Sequence, residues 1–219
     1  GRNGAGKSTT LKLISGELKN DSGEIWTEKN LKFVSLPQQL PIATEESVFT
    51  AVSSVFDELG KVISEYQVLA QIIKVDKLKN KKLNELQNSI EEMGGWSVTH
   101  KVEAILDRLN LPSKKRLSEL SGGWLKRVSI AKTLVQEPDI WILDEPTNHL
   151  DIEGITWLES VMSAFKGTIL FVSHDRRLME RACTGILEID RGKLIKHDCG
   201  YSEFIDRRDK SLEIEAEHN

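Results

Sequence analysis

Cysteine is scarce in this chain. Only two cysteines, Cys183 and Cys199, occur among the 219 residues, and their spacing matches no metal-binding pattern. This scarcity excludes a disulfide framework and a cysteine-based zinc site as the basis of the fold. Isolated thiols are typical of a reducing compartment, so we expect a cytoplasmic protein.

Long hydrophobic runs and an excess of one charge are absent as well. The apolar runs have the length of a strand and are far shorter than the ~20 residues of a membrane-spanning helix. Thirty basic residues against 34 acidic ones give a net charge of −4, which lacks the overall basic character of many nucleic-acid-binding domains. We therefore expect a soluble protein with one domain, or one domain carrying an insertion.

The first nine residues carry the most specific pattern of the sequence. They read GRNGAGKST, which satisfies the phosphate-binding loop GxxxxGK[ST], and a helix predicted over 8–18 would direct its positive end at the phosphate. In this loop Lys7 reaches the β- and γ-phosphates and the Ser8 hydroxyl ligates Mg²⁺. A strand normally leads into such a loop, so we expect the chain to be part of a longer protein. The residues predicted to bind nucleotide here are Gly1, Arg2, Asn3, Gly4, Ala5, Gly6, Lys7, Ser8 and Thr9.

Four stretches of different pattern follow one another along the chain. Residues 1–45 and 113–200 are predicted to form the two parts of one core. Between them, residues 46–112 are helical, and residues 201–219 are charged and resemble the start of a linker helix. Apolar strands that alternate with helices in the second part predict a mostly parallel sheet covered on both faces. Strands are predicted over 24–27, 31–36, 140–143, 168–172 and 186–189, with helices over 152–164 and 176–182.

Helical heptads dominate the middle stretch. Apolar residues recur at alternating spacings of four and three over 48–73 and again over 83–93. We expect these two helices to form an antiparallel hairpin over 61–93, with Gly60 as a break before it. The tip, about 75–82, is rich in lysine, which suits RNA phosphates, although exposed loops are often rich in lysine for solubility alone.

Two carboxylates directly follow the strand predicted over 140–143. Asp144 and Glu145 should lie at the carboxyl edge of the sheet, where α/β folds bind their ligands. Asp144 suits the magnesium shell beside Ser8, and Glu145 suits a general base that activates water for attack on the γ-phosphate. A strand that simply ends in a polar turn is the alternative, and the phosphate-binding loop disfavours it.

Three further groups complete the predicted site. His174, just past the strand over 168–172, is either a neighbour of a helix cap or a ligand of the γ-phosphate, and we favour the ligand. Gln38 would complete the magnesium shell, although Gln39 beside it leaves the assignment open. A second anion site opens a helix predicted to run to about 136, and a partner domain would use it. Its residues are Ser121, Gly122 and Gly123.

These motifs, in this order, resemble those of the ABC ATPases. Residues 1–9 resemble the Walker A motif, 120–124 the signature, 144–151 the Walker B motif with the D-loop, and 173–175 the H-loop. The spelling EPTNHLD that begins at Glu145 is typical of the ABC-F group, and the hairpin resembles the arm of that group. The resemblance implies an α/β P-loop ABC-type nucleotide-binding domain with a mostly parallel sheet and an inserted all-helical arm.

The resemblance also implies an activity, cofactors and partners. It implies an ATP hydrolase (EC 3.6.1.-) that uses ATP and Mg²⁺ at a site shared with a second nucleotide-binding domain of the same full-length chain. The implied partners are the ribosome or its RNA, with branched DNA as a further candidate and no membrane domain. This domain would be the first of two, and alone it should hydrolyse ATP only weakly. The sequence departs from most ABC proteins at Trp124, where they carry glutamine.

Three other functions stay open at this point. The ATPase subunit of a membrane transporter shares these motifs but lacks a heptad arm at this position. ATPase clamps of chromosome maintenance have a similar signature but far longer coiled coils. A non-enzymatic module that closes on ATP without turnover is also compatible, because an intact Glu145 shows that hydrolysis can occur and not that it is fast.

Overall fold

The computed structural model describes residues 6–72, 77–190 and 192–217. It divides the chain into two compact units, of which the first combines 1–35 with 139–219 and the second is 36–138. Among the described residues, no helix has both the length and the apolar character needed to cross a membrane.

Helices and strands alternate at both ends of the described chain, and the middle is helical apart from short irregular segments. This order fits the α/β pattern with an inserted helical region that the sequence predicts. The elements are α1 (Lys7–Ile14), β1 (Phe33–Ser35), α2 (Val48–Ser53), α3 (Asp57–Ile72), α4 (Lys77–Glu92), α5 (Trp96–Arg108), α6 (Gly122–Leu134), β2 (Ile140–Asp144), α7 (Ile152–Ser163), β3 (Thr168–Val172), α8 (Arg176–Ala182), β4 (Ile186–Asp190), β5 (Lys193–His197) and α9 (Tyr201–Glu217).

A three-stranded parallel sheet forms the centre of the first unit, with β2 between β1 and β3. Trp141 and Leu143 of β2 are fully buried, as expected for a strand that is covered on both faces. The Trp141 ring packs on Phe165 with 5.5 Å between the ring centroids. Helix α1 packs against β2 and β3, and α7 packs against α8.

The strand predicted over 186–189 belongs to a second sheet. It forms β4, which pairs antiparallel with β5 so that Asp190 lies opposite Lys193. No sequence pattern predicted β5, and the expectation that β4 extends the parallel sheet is wrong. Gly192 between the two strands has a φ of 77°, a left-handed conformation that glycine adopts readily and that suits a tight turn.

The strand predicted over 24–27 is also wrong. Ile25 and Trp26 are 48% and 87% exposed, and none of the described strands pairs with this segment. A β-type composition does not form a strand without a neighbour to accept its backbone hydrogen bonds. The run over 31–36 does form β1, because its central strand neighbour β2 supplies those bonds.

The second unit contains the predicted helical hairpin. Helices α3 and α4 pack against each other, and Glu65 forms an ion pair with Lys82. Gly95, beyond the end of α4, lies against Leu59 near the start of α3, so the two helices run antiparallel. Ile73, the last residue of the first predicted heptad run, lies outside the described residues, as does part of the lysine-rich tip.

The break before the hairpin lies earlier than the sequence predicts. A 3₁₀ turn spans 54–56, and Asp57 has a φ of 49°, so the heptad pattern over 48–73 is not one helix. The break changes the helical phase, so that Ile63 is buried in α3 although the predicted spacing of four and three places Val62 in the seam. Gly60 lies within α3, where an added Cβ would come within 2.1 Å of the Ser53 carbonyl oxygen.

We expect the substitution Gly60→Ala to destabilise the second unit. Alanine gains up to about 1 kcal/mol over glycine inside a helix, but overpacking against rigid backbone costs about 1–3 kcal/mol or more. The comparison variant Gly122→Ala, where the nearest atom to a new Cβ is 3.8 Å away, should keep or raise stability. Urea unfolding of both variants measures the difference. An unchanged unfolding midpoint for Gly60→Ala would show that the close approach to Ser53 has no energetic weight.

Candidate functional site

The carboxyl ends of β2 and β3 lie side by side, and the two predicted acids are found there. Asp144 is opposite Val172 in the parallel register. The backbone N–H of Glu145 then donates to the Val172 carbonyl oxygen at 2.9 Å, so the pairing continues one residue beyond β2. Both acids therefore occupy the edge at which open α/β sheets bind ligands.

Glu145 and His174 contact each other at this edge. The Nε2 atom of His174 lies 3.3 Å from Oε1 of Glu145, and the His174 backbone N–H donates to Oε2 at 3.2 Å. The Glu145 side chain is 21% exposed and that of His174 is 60% exposed. The arrangement gives a sheltered carboxylate that can accept a proton from water, next to an imidazole that is open to a ligand.

The backbone of Glu145 is held in an unusual conformation. Its φ is 47°, in the left-handed region that residues other than glycine seldom adopt. The bond to Val172 and a 3.2 Å bond from the Asn148 N–H to the Glu145 carbonyl oxygen restrain it. Such conformations persist only where the surroundings enforce them, and they concentrate at functional sites. Five other non-glycine residues of the described chain also have a positive φ, so this conformation supports the site only together with the contacts of the Glu145 side chain.

The start of α1 contributes to the same region. Lys7, Ser173 and His174 line one cavity of about 500 Å³. Gly6, which precedes α1, has a φ of 85°, and an added Cβ would meet no atom within 4 Å. Ser8 lies in the first turn of α1, which ends at Ile14 and is shorter than predicted. The nucleotide contacts predicted for Gly1, Arg2, Asn3, Gly4 and Ala5 lie outside the described residues.

Polar and apolar groups share the lining of this cavity about equally. Its walls include Phe171, Ile186 and Phe204, and Cys183 also lines it. Burial is the main reason that the pKa of the Cys183 thiol is raised above its ordinary value. A thiol with a raised pKa carries less thiolate and is a poor nucleophile, so Cys183 is not a candidate for chemistry in this cavity.

The other predicted site residues belong to the second unit. Gln38 is exposed. Ser121 precedes α6 in an extended conformation and makes no side-chain capping bond. A Cβ on Gly122 would come no nearer than 3.8 Å to another atom, at Leu40, so the first backbone N–H groups of α6 can be approached. The contact of Gln38, Ser121, Gly122 and Gly123 with nucleotide stays a prediction.

Trp124, where the sequence departs from most ABC proteins, has a partner on its own helix. The guanidinium carbon of Arg127 lies 4.7 Å from the centroid of the Trp124 ring, which is a cation–π contact. The ring is half-buried. The pair is therefore a local feature of the first turns of α6.

The donor groups of the first unit fit magnesium that arrives with a phosphate ligand. Among residues 6–72, 77–190 and 192–217, no group of three or more His, Cys, Asp or Glu could hold a metal. Magnesium is usually held by one or two protein oxygens together with phosphate oxygens and water. Ser8 and Asp144 offer oxygens of this kind, and Lys7 at the positive end of α1 suits the phosphate.

Two capping aspartates support the site, and the sequence analysis did not assign them. The carboxylate of Asp151 accepts a bond from the Gly154 N–H at 2.7 Å at the start of α7. The carboxylate of Asp175 accepts one from the Leu178 N–H at 3.1 Å at the start of α8. Aspartate before a helical apolar pattern is the signal that would have found them. They begin the helices that follow Glu145 and His174.

Comparison with known proteins gives matches along the whole chain. The family model described as ABC transporter matches residues 1–148. ATP-binding protein Uup of Haemophilus influenzae is 38% identical over 222 aligned positions, which cover 100% of this chain and 34% of that protein. Energy-dependent translational throttle protein EttA of Escherichia coli is 36% identical, with 99% and 40% covered. The chain thus spans less than half the length of these relatives.

Solved structures share the fold. Archaeal ribosome recycling factor aABCE1, solved with ribosomal stalk protein aP1, matches with a TM-score of 0.61 and 23% identity over 97% of this chain and 36% of that chain. A putative metal-chelate type ABC transporter matches with a TM-score of 0.61 and 22% identity over 90% of this chain and 69% of that chain. The fold class predicted from the sequence, an ABC-type nucleotide-binding fold, is confirmed.

We expect loss of the α8 cap to lower stability. Asp175→Ala removes the bond to the Leu178 N–H, and loss of an N-cap costs about 0.5–2 kcal/mol. Asp175→Asn is the matched control, because asparagine caps helices about as well as aspartate. Urea unfolding of the two variants compares them directly. Equal stability of the alanine and asparagine variants would contradict a capping role for Asp175.

Proposed function

Because the chain belongs to the ABC transporter family, we propose that it is the ATP-binding and ATP-hydrolysing domain of an ABC-F protein. The observation that carries this proposal is the contact of Glu145 with His174 at the carboxyl edge of the sheet. Lys7, at the start of α1, lines a cavity together with that histidine. ATP binding also agrees with the name of the relative ATP-binding protein Uup.

In the proposed reaction Lys7 and the amides at the start of α1 hold the phosphates of ATP. Ser8, Gln38 and Asp144 would hold the magnesium ion, which would screen the negative charge of the phosphates. Glu145 accepts a proton from the attacking water, and its sheltered position beside His174 supports this role. His174 donates to the γ-phosphate and keeps the water in line.

We propose further that the complete site needs a second domain. Ser121, Gly122 and Gly123 open α6 and would clamp ATP that is bound to the partner domain. The approachable backbone at Gly122 supports this role. The length of the relatives, of which the chain spans about a third to two fifths, leaves room for such a partner domain.

The ribosome is the partner that we propose for the closed, ATP-bound protein. The support is the 36% identity with EttA, a protein named as a translational throttle. The arm, formed by α3 and α4, carries lysines at its distal part. Two of them, Lys81 and Lys82, are exposed, and each forms an ion pair with a glutamate. Pairs between exposed side chains are weak and can be exchanged for RNA phosphates. Branched DNA is the competing ligand.

Glu145→Gln in the full-length protein should nearly abolish ATP hydrolysis. Loss of a general base costs about 10²–10⁴-fold in rate, whereas ATP binding should persist because glutamine has nearly the same size and shape as glutamate. Phosphate release measures the first effect and equilibrium binding of ATP the second. Glu203→Gln is the control, because Glu203 forms an exposed pair with Arg207 on α9 and does not line the cavity of Lys7 and His174. Unchanged phosphate release from Glu145→Gln would remove Glu145 from catalysis.

Removal of two positive charges from the arm should lower the affinity for ribosomes and make that affinity less dependent on salt concentration. Lys81→Gln with Lys82→Gln removes two charges, and the slope of log affinity against log salt should fall by about 0.7–0.9 for each phosphate that is no longer neutralised. Sedimentation with ribosomes at several salt concentrations, in the Glu145→Gln background with ATP, measures both quantities. Lys114→Gln with Lys115→Gln, two exposed lysines outside the arm, is the control. Equal affinity and slope in all proteins would end the proposed RNA contact, and binding to branched DNA alone would replace the ribosome as partner.

A further inference from the structure

A carboxylate outside the candidate site is buried in the first unit. The side chain of Glu159, on α7, is 8% exposed, and Glu159 is the one acidic residue among the buried polar residues of the described chain. A charge taken out of water is strongly unfavourable unless partners compensate it. The stability of the buried carboxylate therefore depends on the groups that pair with it.

Both partners of Glu159 come from α8. Nη1 of Arg181 donates to Oε2 at 2.5 Å, and Nε of Arg177 lies 3.7 Å from Oε1. The two arginines are four residues apart, so they share one face of α8. Oε1 accepts no hydrogen bond from any described residue, because 3.7 Å is too long for one. The compensation of the buried charge thus depends closely on where α8 lies.

The clamp, defined as Glu159 with Arg177 and Arg181, joins the two helices that follow the catalytic candidates. Helix α7 follows the loop that starts at Glu145, and α8 begins two residues after His174. Helix α8 has only seven residues, which is too short to be stable without tertiary contacts. The position of α8, and with it the position of His174, therefore depends on the tertiary contacts that hold this helix.

A short hydrogen-bonded segment links the position of α8 to the position of His174. The Asp175 N–H donates to Oγ of Ser173 at 3.0 Å, and the Asp175 carboxylate caps α8. His174 therefore stands between two residues that are hydrogen-bonded to each other, one of which also caps α8. A shift of α8 relative to α7 would move the His174 ring away from Oε1 of Glu145, which lies 3.3 Å from it.

We propose that Glu159 is a positioning residue for ATP hydrolysis, which acts by holding α8 so that His174 stays in register with Glu145. This inference rests on the proposed function, because it assigns Glu159 to the same reaction. Glu159 itself does not touch the reacting atoms. Its charge matters because glutamine cannot balance the charge of two guanidinium groups, and its NH₂ group would face one of them donor to donor.

The test is a double-mutant cycle in the full-length protein with Glu159→Gln and His174→Ala. Glu159→Gln should lower kcat for ATP hydrolysis by about ten- to a hundredfold, the range expected when a catalytic group is misplaced by about 1 Å. The KM for ATP and the affinity for a non-hydrolysable ATP analogue should stay within about twofold, because Lys7 and the start of α1 are untouched. In the His174→Ala background, the same substitution should have no further effect on kcat.

A matched control separates the clamp from ordinary ion pairs. Glu203→Gln breaks an exposed pair with Arg207 on α9 and should leave kcat unchanged. A kcat for Glu159→Gln equal to that of the unsubstituted protein would overturn the proposal. Equal reductions in kcat with and without His174 would overturn it as well, since they would show that Glu159 acts on stability or on another group.

A replacement variant and a measurement on the unsubstituted protein cover the remaining outcomes. If Glu159→Gln does not fold, Arg177→Gln replaces it in the cycle, because that change removes the longer pair and leaves Arg181 on Glu159. The same criteria then apply to its kcat, its KM and its dependence on His174. Absence of ATP hydrolysis by the unsubstituted full-length protein would defeat the proposed function itself, whereas hydrolysis that is insensitive to the clamp defeats only this inference.

Discussion

Parallel pairing between β2 and β3 determines where the candidate groups of the first unit lie. The register sets Asp144 opposite Val172, so the loops that carry Glu145 and His174 leave the sheet at the same level. A slip by one residue would turn every side chain of β2 to the other face and would separate Trp141 from Phe165, on which it now packs. Packing of the apolar β2 side chains therefore stabilises the register that places the polar residues at the edge of the sheet.

The inserted second unit is compatible with this register because first-unit residues on either side of it, Lys32 and Asp139, are hydrogen-bonded to each other. The chain leaves the first unit after Ser35 and returns at Asp139. There, the Asp139 carboxylate accepts a bond from the Lys32 N–H at 2.8 Å, and the Asp139 N–H donates to the Lys32 carbonyl oxygen at 2.9 Å. The entropy of closing a loop grows only slowly with its length. A large helical insertion between β1 and β2 is therefore compatible with a well-defined sheet.

The sequence predicts elements well where one local pattern decides them, and poorly where a neighbour does. The strands β2 and β3 follow from continuous apolar runs, and β3 has the predicted bounds. The strand predicted over 24–27 fails because pairing partners are not visible in a local window, and β5, with lysines at positions 193 and 196, offers little apolar pattern to read. The heptad prediction fails across 54–57 because periodicity persists through a turn that changes the helical phase.

The candidate site shows the same division between local and distant information. Motif spelling alone leads to Asp144, Glu145 and His174, and the parallel sheet explains why they share an edge. The contacts that give this edge its geometry join residues far apart in sequence, 29 positions for Glu145 with His174 and 22 for Glu159 with Arg181. Nor does the sequence indicate the left-handed backbone of Glu145. The motifs therefore reveal which residues can take part in the chemistry. The relative positions of Glu145, His174 and α8 arise only when the sheet and its covering helices pack.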